Sequence, residues 1–392
     1  MHEVAMMKKF DVIIIGAGTA GLTALARLKH TYKNIAVIND GPYGTTCARV
    51  GCMPSKLLIQ VAEDIHRAQE LTNKSIFTSQ VPQIDTSKAM EYMCSWRDKF
   101  VAKTNRPLEA LGTNKIDGKA VFIDKNTIEV NGEKLSADYV IIACGSKPVV
   151  PKAWSETSAN VVTSDEIFEL EKLPRSLAII GLGPIGIELG QAFSRLGVNV
   201  VGFDQANTIA GISDPKVTEI AVKQLSNDFP INLGHSVELK KNGELLVVSN
   251  GEQNVEVEMV LAALGRRSNV LDMGLEKLGI DLNEHGLPIV DEQTLNIAGS
   301  NIYIVGDANG VRPILHEAAD EARMVSESIL KKDILPFKRK TPMGISFTNP
   351  NIAFVGKKYF QLDESEIIIG EDHFEMGRCK VIGESGLIRL YC

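Results

Sequence analysis

The chain has little that would direct it to a membrane, to nucleic acid or to a disulfide-stapled secreted form. Its longest apolar runs, such as DYVIIAC and SLAIIGLG, are short and broken by Gly or polar residues, far below the ~20 residues a spanning helix needs. Positive charge does not dominate: 42 Lys and Arg stand against 49 Asp and Glu, a net charge of −7. There is thus no basic footprint for nucleic acid as the main partner. Only six cysteines occur, at Cys47, Cys52, Cys94, Cys144, Cys379 and Cys392. Such a sparse, irregular set is not the framework of a small secreted domain, and no pair has the C-x2-C spacing of a zinc ribbon. The opening MHEVAMMKKFDVIIIGAG sets two lysines before an apolar run, but that run leads into a glycine motif rather than a cleavage site. A cytoplasmic, soluble protein is the expectation.

What is present is enough apolar residue, 44% of the 392, to build sizeable cores. The length predicts two or three domains. FDVIII, residues 10–15, reads as a buried parallel strand. GAGTAG follows at once, and then an apolar-periodic stretch through Leu22, Leu25 and Leu28. This is strand, glycine turn, helix. Gly16 permits the tight turn, Gly18 lets a pyrophosphate approach the backbone, and Gly21 lets helix and strand pack closely, with phosphate at the positive helix terminus. NIAVIND supplies the second strand at the expected distance.

The same unit recurs in RSLAIIGLGPIGIELGQAFSRLGVNVVGFD, with Gly181, Gly183 and Gly186, a helix with Ile185, Leu189, Phe193 and Leu196 on one side, and a strand ending in Asp204. Two complete fingerprints imply two dinucleotide sites. Asp204 can accept hydrogen bonds from a ribose diol, and no Arg stands near it to welcome a 2′-phosphate, which favours NAD(H) over NADP(H).

Between the fingerprints, TTCARVGCMPSK places Cys47 and Cys52 with four residues between them. The helical spacing of Leu57, Leu58, Val61, Ile65, Ala68 and Leu71 puts the pair at or just before a helix N-terminus. In a reducing compartment such a pair is redox-active more often than structural. A second helix is predicted over roughly residues 86–111, then short strands at KAVFID and TIEV and the run DYVIIACGSKP. Beyond the second fingerprint come GELLVVS, EMVLAALGRRSNV and NIYIVGDANG, with a helix beginning near Pro313. From Thr341 the pattern changes to short strands, GISFT, IAFVG, EIIIG, KVIG and LIRLY, without helices between them, the opening of an antiparallel sheet.

These pieces, in this order, resemble the flavoprotein disulfide reductases, the pyridine nucleotide-disulfide oxidoreductases. The most specific element is GTTCARVGCMPSK, similar to the family's G-G-T-C-x-x-x-G-C-x-P-S-K. It is joined by IIACGSKP, GLGPIGIELG, AALGRRSN and IYIVGDANG. The resemblance implies an α/β fold of two Rossmann-like dinucleotide-binding domains, for FAD and NAD, plus the start of an α+β interface domain, truncated. The expected segments are 1–148 and 269–340 for the FAD-binding domain, 149–268 for the NAD-binding domain, and 341–392 for a partial C-terminal dimerisation domain.

It also implies roles. Cys47 matches the interchange thiol that attacks a substrate disulfide, and Cys52 the thiol against the flavin, where a helix N-terminus and an oxidised flavin both favour thiolate. Lys56 and Glu188 match a pair beneath the flavin, near N5 and the nicotinamide. Asp307 matches the acid on the ribityl chain, and His316 a histidine near the flavin. The cofactor-binding set implied is completed by Asn39, Thr46, Ala120, Gly145, Val237, Gly265, Gly306 and Leu315.

The chain departs from the family pattern at several places. Asn39 stands where the family has Glu on the adenosine ribose, so FAD is expected to be held less tightly. Thr46 follows Thr45 in place of Gly-Thr, and Cys144 replaces the Thr of an A-T-G run. After residue 341 there is no His-x-x-x-x-Glu to serve as acid-base dyad, only His373, so either a fragment or a form without that base is expected.

The function implied is FAD-dependent, NAD-linked dithiol-disulfide exchange, with dihydrolipoamide dehydrogenase the nearest named activity. A small dithiol or disulfide, or a lipoyl-carrying protein, would be the partner, and a homodimer would form when the C-terminal domain is complete. The alternatives are a mercuric or other disulfide or quinone reductase, or a nucleotide-binding flavoprotein without disulfide turnover.

Overall fold

The computed structural model describes residues 7–271, 273–297, 300–363, 365–382 and 385–392. The first six residues of the lysine-containing opening lie outside them. The chain forms two compact units. One comprises residues 1–52, 97–147 and 266–339; the other comprises 53–96, 148–265 and 340–392.

The first unit is built on a seven-stranded sheet. Lys8–Ile15 lies at its centre, parallel to Ile35–Asn39 on one side and to Glu133–Ile142 on the other. The long strand Glu133–Ile142 has two neighbours on its far side. Its N-terminal half pairs antiparallel with Thr127–Val130, and its C-terminal half pairs parallel with Ile302–Ile304. The near-continuous apolar run of the first strand follows from burial on both faces. Ile13 and Ile15 enter one core with Ile38, Phe122 and Ile142, while Val12 and Ile14 enter the other with Leu25, Leu28, Val325 and Ile329. The second core is closed by the helices Thr19–Leu28 and Leu315–Lys331.

The second unit repeats the plan with a five-stranded sheet, all parallel, in which Ser176–Ile180 lies between Asn199–Asp204 and Met259–Ala262. An antiparallel meander, Glu238–Asn242, Leu245–Ser249 and Asn254–Val257, buries Leu246, Val248 and Val257 against Ala178, Ile180, Val201 and Phe203. The fold class expected from the paired fingerprints, an α/β protein with Rossmann-like parallel sheets, is the one observed.

Two readings need correction, and one helix buries more than its apolar side. On the helix Pro184–Arg195 burial extends beyond Leu189 and Phe193. Ile185 is exposed, whereas Glu188, Gln191 and Arg195 are buried with Leu189 and Phe193. The reason is a second neighbour: residues 347–349 lie on its polar side and bond to Glu188 and Gln191. In the tail, KVIG is no strand, because Arg378–Ile382 is a short helix. Val381 is exposed there, and an apolar side chain left in solvent has no sheet to join. EIIIG, residues 366–370, begins three residues too early, since the paired segment is Ile369–His373, opposite Leu387–Tyr391.

Along the helix Cys52–Asn73 only Leu58 of the six periodic residues is buried. Leu57, Val61, Ile65 and Ala68 line an open groove with Val81 and Tyr92.

Candidate active site

In the first unit the chain leaves the central strand at Gly16 with φ +111°. The Gly16 N–H donates to Ile38 O at 2.7 Å. A Cβ there would stand 2.3 Å from Ala143 O, and one on Gly21 would stand 1.9 Å from Gly16 O. Both distances are far inside contact, so the cradle exists only because these residues have no side chain. The helix Thr19–Leu28 is capped by Gly18 without a side-chain hydrogen bond, which leaves its first N–H groups for an anion. Asn39 closes the loop: Oδ1 accepts from Ala17 N–H at 3.0 Å, and Nδ2 donates to Gly41 O at 3.0 Å.

Asp307 reaches the same unit from a tight turn, Gly306–Asn309. A Cβ on Gly306 would meet Ala318 Cβ at 3.1 Å and Ala20 Cβ at 3.4 Å, so the turn is wedged between the two helices that cover the sheet. Asp307 Oδ2 accepts from the Ser146 hydroxyl at 2.6 Å, and Arg266 Nε donates to that hydroxyl oxygen at 2.9 Å. Beneath the turn, fully buried Glu321 accepts from Gly306 N–H at 2.6 Å and Asn309 Nδ2 at 2.8 Å, and pairs with Arg339 at 2.6 Å. Burial, the largest influence, holds the Glu321 carboxyl above the usual glutamate range despite these donors. Neither Glu321 nor Arg339 has a sequence signal, because a charge in or after a helix carries no mark of burial.

Gly145 has φ +68° beside Cys144, whose thiol desolvation pushes up to about 12, leaving it a weak candidate for a third redox thiol. His316 is half-buried at the start of its helix, next to exposed Leu315. Ala120 belongs to the sheet core, so only its main chain is left for a ligand.

The cysteine segment folds tightly. Thr46–Val50 forms a single helical turn, its N-cap Thr45 accepting from Ala48 N–H at 3.1 Å. Thr46 is exposed. Gly51 turns the chain back, since a Cβ on it would lie 2.9 Å from Thr46 O and 3.3 Å from Cys47 Cα. Cys52, exposed, is then the first residue of the helix Cys52–Asn73, and Cys47 is half-buried.

The second unit carries the matching loop. Gly181 has φ +95° and donates to Phe203 O at 2.8 Å. A Cβ on it would stand 2.4 Å from Ala263 O, and one on Gly186 2.0 Å from Gly181 O. Gly183 caps the helix Pro184–Arg195, again without a side-chain bond. Asp204 Oδ2 accepts from Leu182 N–H at 2.6 Å, and Oδ1 accepts from Ala206 N–H at 2.8 Å. Gly265, φ +94°, accepts from Val149 N–H at 3.0 Å. Val237 packs on the apolar cluster under the meander.

Lys56 and Glu188 meet in this unit, Nζ to Oε2 at 2.6 Å, with Glu188 9% and Lys56 33% exposed. Seven residues along each helix, Glu63 and buried Arg195 form a second pair, and Asp228 holds Arg195 Nε at 2.8 Å. Seven residues are two helical turns, so over this stretch the helices run side by side in the same direction, with two ion pairs of opposite polarity two turns apart. The Arg195 end is closed off. The Lys56 end keeps a half-exposed ammonium.

The residues therefore fit two dinucleotides: each unit has a cradle that any Cβ would fill, uncapped helical N–H groups and a polar side chain after the second strand. The family description "pyridine nucleotide-disulphide oxidoreductase" matches residues 10–322. Dihydrolipoyl dehydrogenase of Buchnera aphidicola subsp. Schizaphis graminum is 31% identical over 373 residues, 91% of this chain and 77% of that protein. Mercuric reductase of Staphylococcus aureus is 30% identical over 88% of this chain, which spans 64% of that protein's length. In fold, the chain is similar to the solved Cu(II) complex of the HOCl-induced flavoprotein disulfide reductase RclA from Escherichia coli. The TM-score is 0.84 at 24% identity, over 98% of this chain and 86% of that one.

Proposed function

The chain belongs to the pyridine nucleotide-disulphide oxidoreductases, and from that premise we propose that it passes an electron pair between NAD(H) and a small dithiol or disulfide through Cys47 and Cys52. The observation that carries the reading is the TTCARVGCMPSK turn, in which Gly51 folds the backbone onto Cys47 and a helix starts at Cys52. Gly16, Gly18, Gly21, Asn39 and Asp307 would hold FAD, and Gly181, Gly183, Gly186 and Asp204 the nicotinamide nucleotide. Bound FAD supplies a two-electron relay between nicotinamide and the cysteine pair.

In the reductive direction the Cys47 thiolate attacks one sulfur of the substrate disulfide and the other sulfur leaves as a thiolate that takes a proton. Cys52 then attacks the Cys47 sulfur. The second substrate thiol is released, and the Cys47–Cys52 bond holds the oxidising equivalents. With dihydrolipoamide or a lipoyl-carrying protein as substrate the same steps run backwards. Lys56, fixed by Glu188, keeps a positive charge one helical turn after Cys52. Asp204, which no Arg follows closely in the sequence, favours NADH over NADPH. A second reading keeps the cysteines and changes the acceptor to a metal ion, favoured by the 30% identity to a mercuric reductase.

The test is steady-state turnover of lipoamide, glutathione disulfide and Hg2+ with NADH and with NADPH. Lipoamide with NADH should give the highest kcat/KM; a preference for Hg2+ would move the assignment to the second reading. In the FAD-loaded protein, Cys47→Ser should show a long-wavelength thiolate-to-flavin absorption while oxidised, and Cys52→Ser should lack it. The reverse pattern would exchange the two cysteine roles.

A further inference from the structure

The segment Phe347–Asn349 lies across the two ion-paired helices. Phe347 N–H donates to Glu188 Oε1 at 2.9 Å, and Asn349 N–H donates to Gln191 Oε1 at 2.7 Å. Gln191 Nε2 returns a bond to Asn349 O at 2.8 Å, and Asn349 Nδ2 reaches Glu63 Oε2 at 3.0 Å. The backbone of 347–349 is thereby registered on both helices. One consequence falls on the ion pair: with Oε1 of Glu188 held by the main chain, Oε2 is turned to Lys56.

The Phe347 ring supplies the other half. Lys56 Nζ lies 4.2 Å from its centroid, where the negative face of an aromatic ring attracts an ammonium. A lysine head has three donors on a flexible stem. Here one is taken by Glu188 and one side is covered by the ring, so the ammonium has a single remaining direction. We propose that Phe347 is a positioning residue, whose main-chain N–H orients Glu188 and whose ring sets where the Lys56 ammonium points. The sequence gives no sign of this, because Phe347 sits in a run that reads as an ordinary tail strand. The role in redox turnover rests on the reading that Lys56 faces the reacting groups; the positioning itself does not.

The experiment separates the two. Every substitution at residue 347 other than Pro keeps the N–H, so Phe347→Leu removes the ring face at similar volume, while Phe347→Tyr and Phe347→Trp keep it. The first readout needs no cofactor: acylation of Lys56 by acetic anhydride in the full chain, followed by mass spectrometry. Phe347→Leu should be acylated about three- to tenfold faster than the parent, with Tyr and Trp within about twofold, and Glu188→Gln gives the scale for a released ammonium. Equal rates for Phe347→Leu and the parent overturn the proposal. So does an increase in all three variants alike, which would mean lost backbone register.

The second readout is flavin reduction by NADH in the FAD-loaded protein, where Phe347→Leu should be about three- to tenfold slower, with NADH affinity nearly unchanged and rescue by Tyr. If acylation responds as expected but Lys56→Met reduces flavin as fast as the parent, the positioning stands and the placement of Lys56 at the redox centre is what fails.

Discussion

In the first unit the side chain that closes the glycine loop is a carboxamide, Asn39; in the second it is a carboxylate, Asp204. The loops otherwise share the bond from the first glycine N–H to the second strand and the near-contact of the last glycine with the first. The difference follows the local backbone. Asp204 accepts from two N–H groups, Leu182 and Ala206, which only two acceptor oxygens satisfy. Asn39 accepts from Ala17 N–H and donates to the carbonyl of Gly41, whose φ of +95° presents an oxygen where Ala206 presents an N–H. An acidic residue after a second strand is commonly read as a nucleotide selector. Here part of its reason is structural, and the ligand reading must be made with what remains of its hydrogen-bonding capacity.

The comparison is broken most severely at the glycines. Gly16→Ala and Gly181→Ala each place a Cβ within 2.4 Å of a carbonyl oxygen at a φ near +100°, and each should lower the stability of its own unit by at least about 3 kcal/mol. The functional outcomes should differ. Gly16→Ala should fail to retain flavin, whereas Gly181→Ala should keep it yet resist reduction by NADH. Absorbance of the purified variants, before and after NADH, reads both. Flavin loss in Gly181→Ala alone would show that the two cradles have been assigned the wrong way round.

Each unit also has a buried carboxylate–arginine anchor, and these respond to pH in opposite senses. Asp214 caps the helix Pro215–Leu225 through Lys216 and Val217 N–H at 2.8 and 3.1 Å, and binds Arg389 and the Tyr391 hydroxyl on the last strand. Burial alone would raise its pKa, but the Tyr391 hydroxyl, the Val217 amide and Arg389 together bring it below the ordinary 3.8. The stabilisation it gives is therefore complete above 3.8 and fades as the pH falls through the lowered value. Glu321 is raised above the ordinary 4.5, so its contribution is complete below 4.5 and fades as the pH climbs through the raised value. Amide exchange corrected for intrinsic rate should show residues 387–391 opening on acidification and residues 302–309 opening as the pH climbs above 4.5. Asp214→Ala should cost about 3 kcal/mol, from a lost cap and a stranded Arg389. Parallel pH dependence in the two segments would refute the contrast.

The parallel sheets were readable because burial on both faces writes itself as unbroken apolar strands, as in FDVIII and SLAII, and because glycine spacing reports backbone contact directly. Neighbours from distant sequence were not readable. Nothing in the periodicity of Pro184–Arg195 says that Glu188, Gln191 and Arg195 are buried, because polar residues that find partners look the same as solvated ones. Lys56 and Glu188 entered through resemblance, while Phe347, Glu63 and Asn349, which hold the same two helices, had no motif to announce them. KVIG failed for a related reason: β-branched residues predict a strand only where a sheet is there to receive them.

The smallest effects test the donor and acceptor logic itself. Asp204→Asn makes the second loop chemically like the first, and Asn39→Asp does the converse. If the choice served the ligand alone, both swaps would leave the apoprotein as stable as before. The backbone argument predicts otherwise. An amide at 204 sets an NH2 group against one of two N–H donors, and a carboxylate at 39 faces the Gly41 carbonyl, so each swap loses one hydrogen bond and adds a repulsive contact. Each should cost about 1 kcal/mol in the ligand-free chain, a fall of about 2–4 °C in the Tm of the affected unit. Asn39→Asp together with Gly41→Ala should recover part of that loss if, as at Ala206, a residue that avoids positive φ turns its N–H toward the new carboxylate. Calorimetry of the three apoproteins decides the matter: unchanged melting in both single variants would return Asp204 to the role of a pure nucleotide selector, and a double variant worse than Asn39→Asp alone would show that Gly41 has another reason for its conformation.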